Sequence, residues 1–186
     1  MRVIGGKYRN RRIHPPAGID ARPTTDYAKE GLFNVLRNRV PLEGIRVLDL
    51  FAGTGNMSLE FLSQGAQEVI SVESDRRLYD HMGNLSRELN ASNWHRVRAD
   101  VFTYLRSAHG PFDIIFADPP FDMEGIERVP TLVRELGLLD EDGTLIVEHS
   151  ERISIAHLPG FQLQRSYGLV QFSFFGPSTT ETHHAP

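Results

Sequence analysis

Two short segments hold residues whose types and spacing suit group transfer. Asp118-Pro119-Pro120-Phe121 places a carboxylate, a stiff backbone carbonyl and an aromatic face within four residues. An exocyclic amine on an aromatic ring is a poor nucleophile, because its lone pair is delocalised into the ring. If Asp118 Oδ and the Pro119 carbonyl each accept one N–H, the nitrogen is drawn toward tetrahedral geometry and its lone pair can point at an electrophile. Pro119-Pro120 aims the carbonyl before substrate arrives. Phe121 offers a flat face for a base, worth about 1–3 kcal/mol in comparable contacts. Alignment of the reacting atoms would supply much of the acceleration, up to about 7–11 kcal/mol. Alone, Pro-Pro after a strand is an ordinary stop signal, so the reading needs a second segment.

That segment is Asp49-Leu50-Phe51-Ala52-Gly53-Thr54-Gly55, at the end of a strand and the start of a helix. Its glycines let the backbone turn sharply and approach a ligand at the helix N-terminus. A nicotinamide enzyme would look similar. Two residues tilt the choice: Ser58 stands where the dinucleotide fingerprint has its third glycine, and Asp49 would repel a pyrophosphate. A zwitterionic amino acid with a cationic sulfonium, as in S-adenosylmethionine, is not repelled. Glu73 follows the turn by about twenty residues, where a carboxylate can accept both ribose hydroxyls. Asp100 caps a following helix and can meet an adenine amine, with Val101 and Phe102 as slot walls.

The elements that must hold these residues alternate short apolar strands with helices from about residue 44 onward, an α/β pattern with a parallel sheet. Expected strands are Ile45–Leu50, Glu68–Glu73, Trp94–Ala99, Phe112–Asp118 and Gly143–Glu148. Leu78, Met82, Leu85 and Leu89 form one helical stripe behind a Ser74/Asp75 cap. A helix is expected over Val101–Ala108, and Pro130 interrupts the pattern after Phe121. Phe161–Tyr167 and Leu169–Phe175 are separated by Gly168 alone, so they must run antiparallel. A parallel sheet finished by an antiparallel hairpin is the class I methyltransferase arrangement, a Rossmann-like fold of seven strands. Before it, Val3–Gly6 and Arg11–His14 predict a small basic hairpin, and a helix after Thr24-Thr25 buries Ala28, Leu32, Val35 and Leu36. The expected organisation is an arm over 1–22, a methyltransferase domain over 23–176 and a disordered tail over 177–186.

The chain has 186 residues and a net charge of −4, enough for one domain. The charge is uneven: residues 1–46 carry ten Lys/Arg against four Asp/Glu, and the rest carries ten against twenty. Such asymmetry suits a basic arm for phosphates on an acidic body. Arg2, Lys7, Arg9, Arg11 and Arg12 precede the first acid, Asp20, and Tyr8 lies among them for stacking. Without cysteine there is no disulfide or zinc-thiolate site. The eight histidines show no metal-ligand spacing. No apolar run suits a membrane span or a signal peptide. A cytoplasmic monomer without metal is expected.

The sequence resembles the RsmD-type 16S rRNA (guanine-N2)-methyltransferases over nearly its whole length. The resemblance rests on Arg2–Arg9, on Arg22-Pro23-Thr24-Thr25-Asp26 followed by Lys29–Asn34, on Asp49–Gly55, on Asp118–Phe121 and on Tyr167-Gly168. It implies methylation of the 2-amino group of a guanine in small-subunit ribosomal RNA, with the partly assembled subunit as substrate. It also implies that Arg22 meets an RNA phosphate and that Thr24 or Thr25 meets the cofactor carboxylate. The chain departs from the family pattern at Gly55-Asn56-Met57-Ser58 and at Gly31. A nicotinamide dehydrogenase would need a second nucleotide-binding half or substrate domain. A DNA amino-methyltransferase usually carries a recognition domain, a glutamine methyltransferase more often has Asn at position 118, and an inactive assembly factor need not keep Asp118, Gly53 and Gly55.

Overall fold

A computed structural model of the chain describes residues 1–19, 24–121 and 123–177. Seven strands form one sheet in the order β3-β2-β1-β4-β5-β7-β6. In chain order the elements are α1 (Asp26–Arg37), β1 (Arg46–Leu50), α2 (Asn56–Ser63), β2 (Glu68–Glu73), α3 (Arg76–Glu88) and β3 (Trp94–Arg98). Then come α4 (Val101–Leu105), β4 (Phe112–Ala117), α5 (Arg128–Glu135), β5 (Leu139–Ser150), β6 (Phe161–Tyr167) and β7 (Val170–Phe175). Strands β1 to β5 pair in parallel, while β7 is antiparallel to both β5 and β6. The order reverses between β1 and β4, and such a switch point opens a crevice beyond the strand tips.

Strand alternation divides the core in two. Val47, Ile114, Phe116, Ile146 and Phe172 pack with the apolar sides of α1, α2 and α3. Leu48, Leu50, Ile115 and Val147 pack with α4 and α5 through Val101, Leu105, Val129 and Val133. Asp49 and Glu148 occupy the first face at the strand tips, where apolar residues would otherwise continue.

Local chemistry sets the helix ends. Thr25 caps α1 by accepting from Ala28 N, and Asp75 caps α3 by accepting from Arg77 N and Leu78 N. Pro130 falls in the first turn of α5, where its missing N–H has no helical partner to lose, so the helix begins just before it. α4 is shorter than expected: Ser107 N and Ala108 N bond the carbonyls three residues back, at 2.9 and 3.3 Å, and the last turn tightens. β5 starts earlier than expected, because Leu139 pairs with Phe112 ahead of a register slip. The β6–β7 turn uses two residues, Gly168 at φ +65° and Leu169.

The expected N-terminal hairpin is reduced to one bridge, Arg2 with Arg12, flanked by Val3 N→Arg11 O and Asn10 N→Val3 O, both 2.9 Å. Val3 and Ile13 enter the first core, each worth about 1.5–3 kcal/mol of burial. Beneath them the fully buried Lys29 donates to Glu60 Oε2 and Asn56 Oδ1, both at 3.2 Å, and to the Arg2 carbonyl. Glu60 in turn accepts from Ile4 N at 2.9 Å and Gly5 N at 3.1 Å. The arm is thus fastened to α1 and α2. Arg22 and residues 178–186 of the expected tail lie outside the described residues. Among the described residues, no helix is long and apolar enough to cross a membrane.

Candidate active site

A cleft of about 400 Å³ opens at the switch point, lined by the turn after β1, the tip of β2 and the tetrapeptide after β4. Its size falls in the range of small-molecule sites. Phe51, Gly53 and Gly55 all have positive φ, at +61°, +58° and +78°. A left-handed Phe51 is strained backbone at the cleft wall. Gly53 N donates to Glu73 Oε2 at 2.8 Å, so the turn is tied to the tip of β2. Glu73 Oε1 accepts from Asp75 N, also at 2.8 Å. Each oxygen keeps a lone pair for a further donor.

Under the turn runs a polar chain. Trp94 Nε1 donates to Ser71 Oγ at 2.8 Å, Ser71 meets Ser58 Oγ at 2.6 Å, and Ser58 Oγ donates to Asp49 Oδ2. With Trp94 able only to donate, every hydroxyl proton is directed toward Asp49. Ser58, read from sequence as a broken glycine fingerprint, is the residue that holds Asp49. Burial pushes Asp49 up to about 7 despite the Ser58 hydrogen bond.

Asp118 is partly accessible at the cleft floor, yet surrounded by protein on nearly every side. Burial raises it well above the carboxylate range, with the charges of Glu148 and then Asp49 adding to the effect. Glu148 is likewise pushed up to about 7 by burial, opposed by the Thr24 hydrogen bond. No lysine or arginine among the described residues lines the cleft. An acidic cavity of this kind is a poor host for a pyrophosphate and a good one for a sulfonium. The residues therefore fit S-adenosylmethionine. Phe121 stands at the rim, 48% exposed.

Of the residues expected at the cofactor, Thr24, Asp49, Phe51, Gly53 and Glu73 line the cleft, together with Asp118, Pro119, Pro120 and Phe121. Thr25, Gly55, Asp100 and Val101 stand off its wall. Thr25 is committed to capping α1. Gly55 packs under Trp94 and Met82, where an added Cβ would meet the indole at 2.7 Å. Asp100 Oδ1 caps α4 by accepting from Thr103 N at 2.9 Å, and Val101 is buried in the second core. Thr24 donates its only hydroxyl proton to Glu148 Oε2 at 2.7 Å. With that proton committed, Thr24 offers the cleft lone pairs rather than a donor for a carboxylate. In the arm, Arg2 pairs with Asp26 and Arg11 with Glu88, while Lys7 lies over the Tyr8 ring. Arg9 and Arg12 are exposed. Glu148 was not singled out in the sequence, and Asn56 only as part of a departure from the family pattern. The available signal for Glu148 was its place at the end of the expected strand Gly143–Glu148, as Asp118 ends Phe112–Asp118.

Fold and cleft together define a class I S-adenosylmethionine-dependent methyltransferase. A family model described as Conserved hypothetical protein 95 matches residues 1–176. The chain belongs to that family, the RsmD family. Ribosomal RNA small subunit methyltransferase D of Escherichia coli (strain K12) is 31% identical over 159 residues, covering 86% of this chain and 79% of that protein. A hypothetical protein of Thermus thermophilus superposes with a TM-score of 0.82 at 28% identity, over 95% of this chain and 99% of the other. Magnesium protoporphyrin IX methyltransferase of Synechocystis PCC 6803, solved with bound SAM, shares the fold at a TM-score of 0.61 and 17% identity, covering 80% of this chain and 77% of that one.

Proposed function

We propose that this methyltransferase modifies the exocyclic 2-amino group of one guanine in 16S ribosomal RNA, acting as a cytoplasmic monomer on an assembling small subunit. The observation that carries the reading is the meeting of the Asp49–Gly55 turn and Asp118–Phe121 in one cleft. The bound cofactor supplies an electrophilic methyl group on cationic sulfur.

In this reading Glu73 accepts the ribose hydroxyls, and the second oxygen of Asp100 takes the adenine amine beside Val101. The acidic floor, Asp49 included, favours the cationic end. Asp118 and the Pro119 carbonyl each accept an N–H of the guanine amine, turning its lone pair toward the methyl carbon. Pro120 keeps that carbonyl in place, and the guanine stacks on Phe121. Asp118 then receives the proton the amine sheds. Lys7, Arg9 and Arg12 hold phosphates with help from Arg2 and Arg11, which anchors RNA without reading its bases. Arg22 belongs to the same proposal. The target base must leave its stack, costing a few kcal/mol, less if it already lies in a loop.

The test is label transfer from the cofactor's methyl group to unmodified small subunits, followed by mass-spectrometric mapping of the methylated nucleotide. Label on one guanine N2 supports the proposal. Label on another base, or cofactor binding without transfer to RNA, overturns it.

A further inference from the structure

Glu148 is the acid that the structure adds to the site. Val147 pairs with Ala117 across the β4–β5 ladder, so Glu148 stands beside Asp118, on the face that also holds Asp49. It is 3% exposed. Thr24, from the segment before α1, donates to its Oε2 at 2.7 Å, and β7 sets only Phe172 opposite it. The titratable groups facing Asp118 are Glu148 from β5 and Asp49 from β1. His149 points to the other face, bonded to Ser173 Oγ at 2.8 Å. None of the ion pairs between described residues involves these three acids.

A buried carboxylate without a cation is a costly way to hold a threonine. The neutral amide of glutamine would accept the same hydrogen bond. The charge itself therefore calls for a use, and the nearest group able to feel it is Asp118.

We propose that Glu148 is a positioning residue of the methyl-transfer cleft: it fixes Thr24 at the wall and, as the second carboxylate beside Asp118, makes Asp118 the receiver of the proton lost by the amine. The inference rests on the function proposed above. In the transfer the nitrogen lone pair forms the N–C bond, and the C–S bond breaks with its pair staying on sulfur. The nitrogen is then cationic, its N–H proton passes to the Asp118 carboxylate, and water later removes it. A neighbouring negative charge strengthens the hold of Asp118 on that proton. The positive charge arriving with the cofactor works the other way, so Asp118 gives up any proton it carries before the amine arrives.

The deciding experiment is single-turnover methylation of small-subunit RNA as a function of pH. Glu148→Gln keeps an acceptor for Thr24 and removes the charge. Its acid limb should move down by about one pH unit, so that below both midpoints it reaches about tenfold more of its own plateau than the parent does. Glu148→Asp keeps the charge and shortens the reach to Thr24. It should retain the parental limb with a raised KM for the cofactor. Limbs that all coincide, or that move equally in both variants, overturn the proposal. Should Glu148→Gln fold poorly, calorimetry of cofactor binding to the unaltered protein, in buffers of different ionisation enthalpy near pH 7, gives a second reading. Net proton release is expected, and none overturns the inference. Unaltered protein that leaves RNA unlabelled sinks the functional reading instead, a result distinct from either outcome.

Discussion

Asp118 is where the fold's stability and its chemistry pull apart. Its carboxyl shares the cleft floor with Asp49, and burial together with the charges of the buried Glu148 and of Asp49 raises it well above the usual range. Asp118→Asn keeps one acceptor for an amine N–H but removes the charge and the proton acceptor. We expect methyl transfer to fall by about 10²–10³-fold, the loss typical of one preorganised electrostatic partner, with cofactor affinity falling by a much smaller factor in calorimetry, because the cationic sulfur loses one favourable charge. Equal losses in transfer and affinity would mean that Asp118 holds the cofactor instead. The same substitution should stabilise the protein at high pH. Asp49 and Glu148 are pushed up to about 7, and Asp118 is raised with them, whereas in the unfolded chain such groups ionise near about 4. Between those values the folded chain holds protons that the unfolded chain has released, so stability falls as pH rises through the window. Asp118→Asn should thus raise Tm by roughly 2–4 °C at pH 8, and the gain should shrink toward pH 5. A gain that is constant with pH would remove the electrostatic explanation.

At the level of elements, α2 joins the cofactor turn to the arm. All of its residues are buried: Gly55 opens it under Trp94, Ser58 holds Asp49, and Glu60 holds the arm both directly, at Ile4 N and Gly5 N, and through Lys29. Gly55→Ala would combine a positive φ of +78° with a Cβ 2.7 Å from the indole. We expect a loss of about 1–3 kcal/mol in urea denaturation together with weaker cofactor binding; unchanged stability would show that Trp94 yields freely. Lys29→Met leaves Glu60 buried without its cation and should cost about 3–5 kcal/mol, while Lys29→Met/Glu60→Leu should recover part of that. A double variant no better than the single would place the cost in packing or in the Ile4 and Gly5 N–H groups that lose Glu60 as acceptor. The pattern of the sequence made β1, β2, β6 and the Asp75 cap legible, because apolar runs and capping side chains act locally. The early start of β5 was hidden by Asp140-Glu141-Asp142, charges of low strand propensity that fall in the register slip between the paired Leu139 and Thr144. The turn and the tetrapeptide were legible as chemistry. Glu148, Lys29 and Glu60 were not, because a buried charge has the same letter as a solvated one and only the partner, 31 residues or more away in each case, reveals the difference.

Over the whole molecule, positive charge gathers in the first 46 residues and negative charge in the remainder. A uniformly charged surface would bind RNA without orientation, whereas an acidic body repels phosphates everywhere except at the arm. The arm is fastened beside the cleft, with Met1 and Ile19 lining the same cavity as Asp118, so phosphates held by it would set the distance of the target base. Its cations are not equivalent. Arg2 and Arg11 already face Asp26 and Glu88, and a phosphate must compete with those acids. Arg9 and Arg12 are exposed, and Lys7 leans on the Tyr8 ring. If the arm anchors RNA, replacing Lys7, Arg9 and Arg12 together by glutamine should weaken binding strongly at low salt. It should also flatten the dependence of log K on log[salt] by about two, at roughly 0.7 per phosphate contact in single-stranded regions. Replacing Arg2 and Arg11 should change that slope less than in proportion to the charge removed. Binding measured from low to moderate salt separates the possibilities. Equal changes of slope per charge would mean the two ion pairs dissolve on RNA, and an unchanged slope in the triple variant would move the RNA path off the arm.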